Sequence, residues 1–201
     1  MTKFSKIEAL EFGWKTTTSN LKFLIGLMII VLVIYLLLAM IGQALEDEKF
    51  LSFIFSLITW AIQLIVSLGL IKIAIKFCDK KKPLLSDLYT EYPKTLKYLL
   101  ASIIVGIITF IGFILLIVPG IIFAIKLQFV PYLIADKNLG PFEAIKTSWR
   151  ITKGVKWNLF LFALLAILVN IGGALLLLVG LLVTIPTTSI ATAYIYRKLS
   201  S

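Results

Sequence analysis

Apolar runs of bilayer length alternate with clusters of lysine and arginine along this chain, and that alternation restricts it to a helical membrane protein. A hydrocarbon core of about 30 Å needs about 20 apolar residues as helix. Leu21 to Gln43 supplies that length, with Lys22 as its one charge, near its start. Further runs are Phe50 to Ile75, Leu96 to Val118, Ile121 to Ala135 and Trp157 to Tyr196, the last long enough to cross twice. The run from Ile121 is short and contains Lys126 and Pro131. With 60% apolar residues and a mean hydropathy of +1.05, the chain exceeds the roughly 45–50% usual in soluble domains. The expected fold class is therefore all-α, a polytopic protein with six transmembrane helices in three hairpins, forming one membrane domain over 1–201.

The 20 Lys and Arg residues orient those helices, because basic loops resist translocation. Lys3, Lys6, Lys15 and Lys22 precede or open the first span, seven cations lie from Lys72 to Lys97, five from Lys137 to Lys156, and Arg197 and Lys198 follow the last. The intervening gaps hold only Lys49, beside Glu46, Asp47 and Glu48. Both termini are therefore expected in the cytoplasm, with the protein in the cell (inner) membrane. The first apolar run is too long for a signal peptide and lacks a cleavage site. A net charge of +10 raises nucleic acid as a partner, but the cations are dispersed among apolar anchors and form no groove-reading motif. Anionic headgroups are the simpler partner. The densest cluster, Lys80, Lys81 and Lys82, reads either as a solvated topology determinant or as a headgroup site.

Short segments ahead of the hairpins resemble one another. Ile7-Glu8-Ala9-Leu10 and Trp14-Lys15 return 135 positions later as Phe142-Glu143-Ala144-Ile145 and Trp149-Arg150, and Thr17 returns as Thr152. As helices they carry an apolar stripe with Trp at its edge, so they are expected to lie flat on the cytoplasmic face, with Trp14, Lys15, Trp149 and Arg150 at the headgroups. Leu84 to Pro93 is a weaker third copy, with Ser86 as a plausible cap. The chain then divides into an interfacial helix (3–19), hairpin one (21–76), an interfacial segment (84–94), hairpin two (95–136), an interfacial helix (141–154) and hairpin three (156–198).

Three stretches carry a family resemblance: Ile117-Val118-Pro119-Gly120-Ile121-Ile122, then Tyr132-Leu133-Ile134-Ala135-Asp136, then Glu143-Ala144-Ile145-Lys146-Thr147-Ser148 with Lys153-Gly154. Val183-Thr184-Ile185-Pro186 and Tyr194 fit the same pattern. The chain resembles the membrane domain associated with some bacterial glycerophosphodiester phosphodiesterases and related small six-helix proteins. The resemblance implies an embedded module, often without an attached enzyme. In physical terms, Pro119-Gly120 is expected to form a tight reversal and Gly140-Pro141 to start a helix.

Catalytic chemistry lacks its usual carriers. There is no His for a general base or metal ligand, and Cys78 is the lone cysteine, so an internal disulfide is impossible and a thiolate zinc site is disfavoured. Asp79, Asp87, Glu91, Asp136 and Glu143 each have lysines nearby and read as solvated. A metal held by Asp79 and Asp136 is disfavoured, because hard cations need several gathered oxygens. No cofactor is expected. Lys126 is the one cation inside a span, where an ionisable group tends to face a cavity or partner. Either it snorkels to the outer interface, or it forms an interior polar site with Gln128, near which Gln63, Asn170 and Thr188 are candidate neighbours. Three functions compete on this basis. The first is a non-enzymatic module that organises lipid or supports a membrane partner, such as an export complex or a second copy. The others are a transporter or channel for a small or amphiphilic solute, and a lipid-modifying enzyme using cytoplasmic carboxylates.

Overall fold

The computed structural model describes residues 4–176 and 179–200. Lys3, at the start of the first expected interfacial helix, and Leu177 and Leu178, in the expected turn of hairpin three, lie outside the described residues. The helices are α1 (Lys6–Ser19), α2 (Leu21–Ala44), α3 (Lys49–Cys78), α4 (Thr95–Leu115), α5 (Ile117–Leu127), α6 (Val130–Lys137), α7 (Pro141–Ile151), α8 (Lys156–Leu175) and α9 (Leu181–Ser200). Two 3-10 turns, Leu85–Leu88 and Tyr92–Lys94, join α3 to α4. No strand occurs among the described residues.

Five stretches are long and apolar enough to cross a membrane: Leu21–Ala44, Lys49–Cys78, Leu85–Leu115, Ile117–Lys137 and Lys156–Leu175. The architecture is that of a helical membrane protein. The sixth expected span corresponds to α9, which is 20 residues long but more polar than the rest. Its composition follows from its position: Pro186, Thr187, Thr188, Ile190, Ala191, Ala193, Ile195 and Tyr196 are all buried against neighbouring helices. Three of its threonines return their hydroxyls to their own backbone, Thr187 to Val183 O (2.8 Å), Thr188 to Thr184 O (3.0 Å) and Thr192 to Thr188 O (2.7 Å). Such bonds hide polarity that the surroundings do not satisfy.

Three local expectations change. The reversal between α4 and α5 occurs at Leu116 alone, an extended residue (φ −168°, ψ 154°). Pro119 and Gly120 lie inside the first turn of α5, where a missing proline N–H is harmless, and Gly120 packs against the Phe113 ring. The expected fourth span is two helices, α5 and α6, with Pro131 in the first turn of α6. The segment 84–94 forms 3-10 turns in place of an amphipathic helix, and Ser86 does not cap it; the Leu84 N–H instead donates to Asp87 Oδ2 (2.7 Å). By contrast, Pro141 opens α7 after Gly140 as expected.

The packed core gathers where α3, α6 and α9 meet. Phe129, Leu133, Ile134, Ile190, Ile195 and Tyr196 are wholly enclosed there. Helix α1, capped by Ser5, runs lengthwise along α9 in the opposite direction. Phe12 stacks on Tyr194 at 4.7 Å, the Tyr194 hydroxyl donates to Glu8, and Gly13 lies against Thr187 and Ala191. A Cβ at Gly13 would collide with the Thr187 carbonyl oxygen, so only glycine permits this approach.

Candidate functional site

Three helices end at one ion cluster. Asp79 follows the last residue of α3, Asp136 is on the last turn of α6, and Arg197 is on the last turn of α9. The Arg197 guanidinium donates to both oxygens of Asp136 (2.6 and 2.9 Å) and to Asp79 Oδ2 (2.7 Å). Such a planar fork fixes direction as well as charge. The Tyr196 hydroxyl adds a bond to Asp136 Oδ2 (2.8 Å). Beneath the cluster, Phe129, Tyr132 and Tyr196 form an aromatic layer with ring centroids 5.4 to 6.0 Å apart. Arg197 thus occupies the position between Asp79 and Asp136 that a metal ion would take, and no group of three metal-binding side chains occurs among the described residues.

A second cluster fastens the 84–94 segment to α3. Asp87 and Glu91 are buried, not solvated as the sequence implied. Lys76 reaches both Asp87 oxygens (2.6 and 2.7 Å), while Glu91 bridges Lys72 (3.2 Å) and Lys94 (2.5 Å). Lys94 also donates to the Ala135 carbonyl (2.6 Å), tying the segment to α6. Burial of the acids is tolerable because each is paired.

Lys126 takes neither of its expected partners. Its ammonium stands over the Trp149 ring, 3.7 Å from the centroid, pointing toward α7 and away from the Leu116 reversal. In this position the electron-rich face of the ring is its partner. Gln128 donates to Ile125 O (3.0 Å), Asn170 to Thr188 Oγ1 (3.3 Å), and Gln63 lines a groove with Tyr35 and Trp60. None of these joins Lys126 in a polar site. Helix α7 clamps the same turn, since Ser148 Oγ donates to the Lys126 carbonyl (2.7 Å) and Thr152 Oγ1 approaches it (3.4 Å).

The remaining headgroup candidates are accessible. Trp14, Lys15, Lys80, Lys81, Lys82 and Arg150 are exposed, Lys80 turning the chain with a positive φ of 55°. Trp149 is 39% exposed, its ring shared between Lys126 and Phe123. The residues that the sequence undervalued are Arg197, Asp87 and Glu91. Their signal was present in the spacing of Asp79 and Asp136, but counting Arg197 as a topology marker concealed its role as their counter-ion.

The close approaches recur in a regular way. Gly13 meets Thr187, a Cβ at Gly69 would strike the Leu88 backbone, and Ser148 bonds Lys126. Gly69, Lys126 and Thr187 each stand ten positions before Asp79, Asp136 and Arg197. Ala9, Gly13 and Thr17 are buried on α1, as are Ala144 and Ser148 on α7 and Thr152 just after it, at the matching positions.

A family model described as a domain of unknown function, DUF7847, matches residues 51–196. The chain belongs to that family. The DUF7847 region runs from the first turn of α3 to the Tyr196 layer and includes all five members of the second ion cluster and both carboxylates of the first. Among curated proteins, the chain is 34% identical over 105 residues to Uncharacterized protein Rv2560 of Mycobacterium tuberculosis, a match covering 51% of this chain and 31% of the relative. Uncharacterized protein Mb2590 of Mycobacterium bovis matches to the same extent. The matched region is thus under a third of those relatives' length. No solved structure matches the chain.

Proposed function

We propose that this protein is a non-enzymatic membrane module that organises anionic phospholipid on the cytoplasmic face of the cell membrane. In this reading α9 is a sixth span, the three hairpins enter and leave from the cytoplasm, and the ion clusters lie near that face. The observation that carries it is an asymmetry of pairing. Asp79, Asp87, Glu91 and Asp136 are all engaged by Arg197 or by lysines of the chain itself. Carboxylates held so cannot serve readily as general bases, which argues against the lipid-modifying alternative. The exposed cations Lys15, Lys80, Lys81, Lys82 and Arg150 are then a surplus for headgroups, with Trp14 and Trp149 at the interface.

The recurring approaches of Gly13 to α9, Leu88 to α3 and Ser148 to α5, each at a residue ten positions before a member of the ion cluster, support three repeated units closed into a ring. The first segment packs on the last hairpin, as each later segment packs on the hairpin before it. The resemblance to the membrane domain of certain phosphodiesterases agrees with a module that serves a partner or pairs with a second copy. Lipids that co-purify with the full chain in mild detergent test the proposal. Anionic phospholipid should be enriched over the bulk membrane, and Lys80→Gln/Lys81→Gln/Lys82→Gln should reduce that enrichment. A bound-lipid composition equal to the bulk would overturn it. Protein-dependent solute flux in liposomes, abolished by Lys126→Leu, would favour the transporter instead.

A further inference from the structure

The junction between α7 and α8 brings together three cations without a carboxylate. Lys126 lies within electrostatic reach of Lys153 and Lys156. Lys153 and Lys156 are exposed, and no ion pair to any of the three occurs among the described residues. The arrangement is built, not incidental. Trp149 fixes the Lys126 ammonium from one side, Ser148 and Thr152 hold its carbonyl, and Gly154, with φ +86°, turns the chain so that Lys153 and Lys156 flank the bend. Val155 precedes α8 there without a side-chain cap, which leaves the first-turn N–H groups and the positive end of the helix dipole available to an anion.

An apolar groove of about 200 Å³ opens beside these cations, between α5 and α8. Ile121, Ile122, Ile125 and Phe160 form its wall, with Lys156 and Trp157 also lining it. Like charges gathered near an apolar slot match one kind of ligand: a phosphate attached to hydrocarbon. We infer that this junction is a specific site for one anionic glycerophospholipid, its phosphate among Lys126, Lys153 and Lys156 and part of one acyl chain in the groove. The site rests on the lipid-organising reading above and sharpens it, because it is distinct from the Lys80 to Lys82 cluster and uses shape as well as charge. A free anion would gain the cations but not the groove, and a zwitterionic lipid the groove but less of the charge.

The test titrates the full chain in mild detergent with phosphatidylglycerol and phosphatidylcholine of identical acyl chains, counting bound lipids by native mass spectrometry. The first phosphatidylglycerol should bind at least about tenfold more tightly than phosphatidylcholine, at about fivefold per nearby lysine. Lys153→Gln/Lys156→Gln should remove that preference, whereas Lys49→Gln/Lys146→Gln, which deletes equal charge elsewhere, should keep it. Ile122→Trp, which fills the groove, should weaken both lipids together. A preference that survives Lys153→Gln/Lys156→Gln, or displacement of lipid by millimolar glycerol phosphate, would overturn this site while leaving the general reading intact. Wild-type protein with no preference at all would remove both.

Discussion

Helix α3 contains two different proteins in one continuous rod. Its first half exposes Phe50, Leu51, Phe53, Ile54, Leu57, Ile58 and Trp60, while its second half buries Leu64, Val66, Leu68, Ile73, Ala74, Ile75 and Phe77. Helix α2, running the other way, repeats the division: Leu24, Leu27 and Val31 are buried, and Leu32 to Ile41 are largely open. The end of the bundle that carries Arg197 is therefore a packed core with ion pairs, and the opposite end is a set of apolar helices that rely on lipid. Composition alone does not distinguish these halves, since hydrocarbon tails and leucine side chains are equally apolar. Counter-ions and long-range approaches such as Gly13 on Thr187 hold the first half together; at the other end the close approaches are local to each reversal, Gly120 on Phe113 and Gly173 on Gly180, and the outer halves of α2 and α3 stay open.

Substitutions at the two ends should separate accordingly. Arg197→Ala carries the largest expected loss, about 2–3 kcal/mol, because it strands Asp79 and Asp136; the value is set below the roughly 3–5 kcal/mol of a fully buried broken pair since Arg197 is 29% exposed. Thermal unfolding in detergent measures it, and Asp79→Asn/Asp136→Asn/Arg197→Met should recover part of the loss. Unchanged stability in Arg197→Ala would refute the idea of an ionic keystone. Gly13→Ala should cost about 1–3 kcal/mol by overpacking against Thr187. Its counterpart Gly106→Ala meets nothing within 4 Å and should be neutral or stabilising, by up to about 1 kcal/mol. Equal effects at the two glycines would erase the distinction. Lys126→Met forfeits the contact with Trp149, worth about 0.5–2 kcal/mol, and should shift Trp149 fluorescence. Phe53→Ala, at the lipid-facing end, should stay within about 0.5 kcal/mol in detergent; a larger drop would mean that this end packs against something after all.

The sequence announced the helices more clearly than their neighbours. Leu21–Ala44 and Lys49–Cys78 were legible because long uncharged runs admit one structure in lipid. Leu116 was not, since a one-residue reversal leaves no composition signal and Pro119-Gly120, the conventional marker, fits equally inside a first turn. Ala9 and Ala144, and Gly13 and Ser148, are buried at positions 135 apart, but nothing in the sequence similarity named α9 or α5 as the surface each would meet. Charge was the most misleading feature. Arg197, Lys72 and Lys76 read as topology markers in the sequence, and the same residues are counter-ions for Asp79, Asp136, Glu91 and Asp87. Net charge records neither use.

The docking of α1 on α9 has a consequence for biogenesis. Because α1 precedes the helix it packs on by the whole length of the domain, its seat does not exist until translation has passed Lys198. Until then Ala9, Gly13 and Thr17 face no partner, and the α2–α3 hairpin must enter the bilayer without them. Closure of the bundle is thus a late, long-range step. A nascent chain stalled before α9 should leave α1 open to proteases or chaperones that the finished protein shuts out.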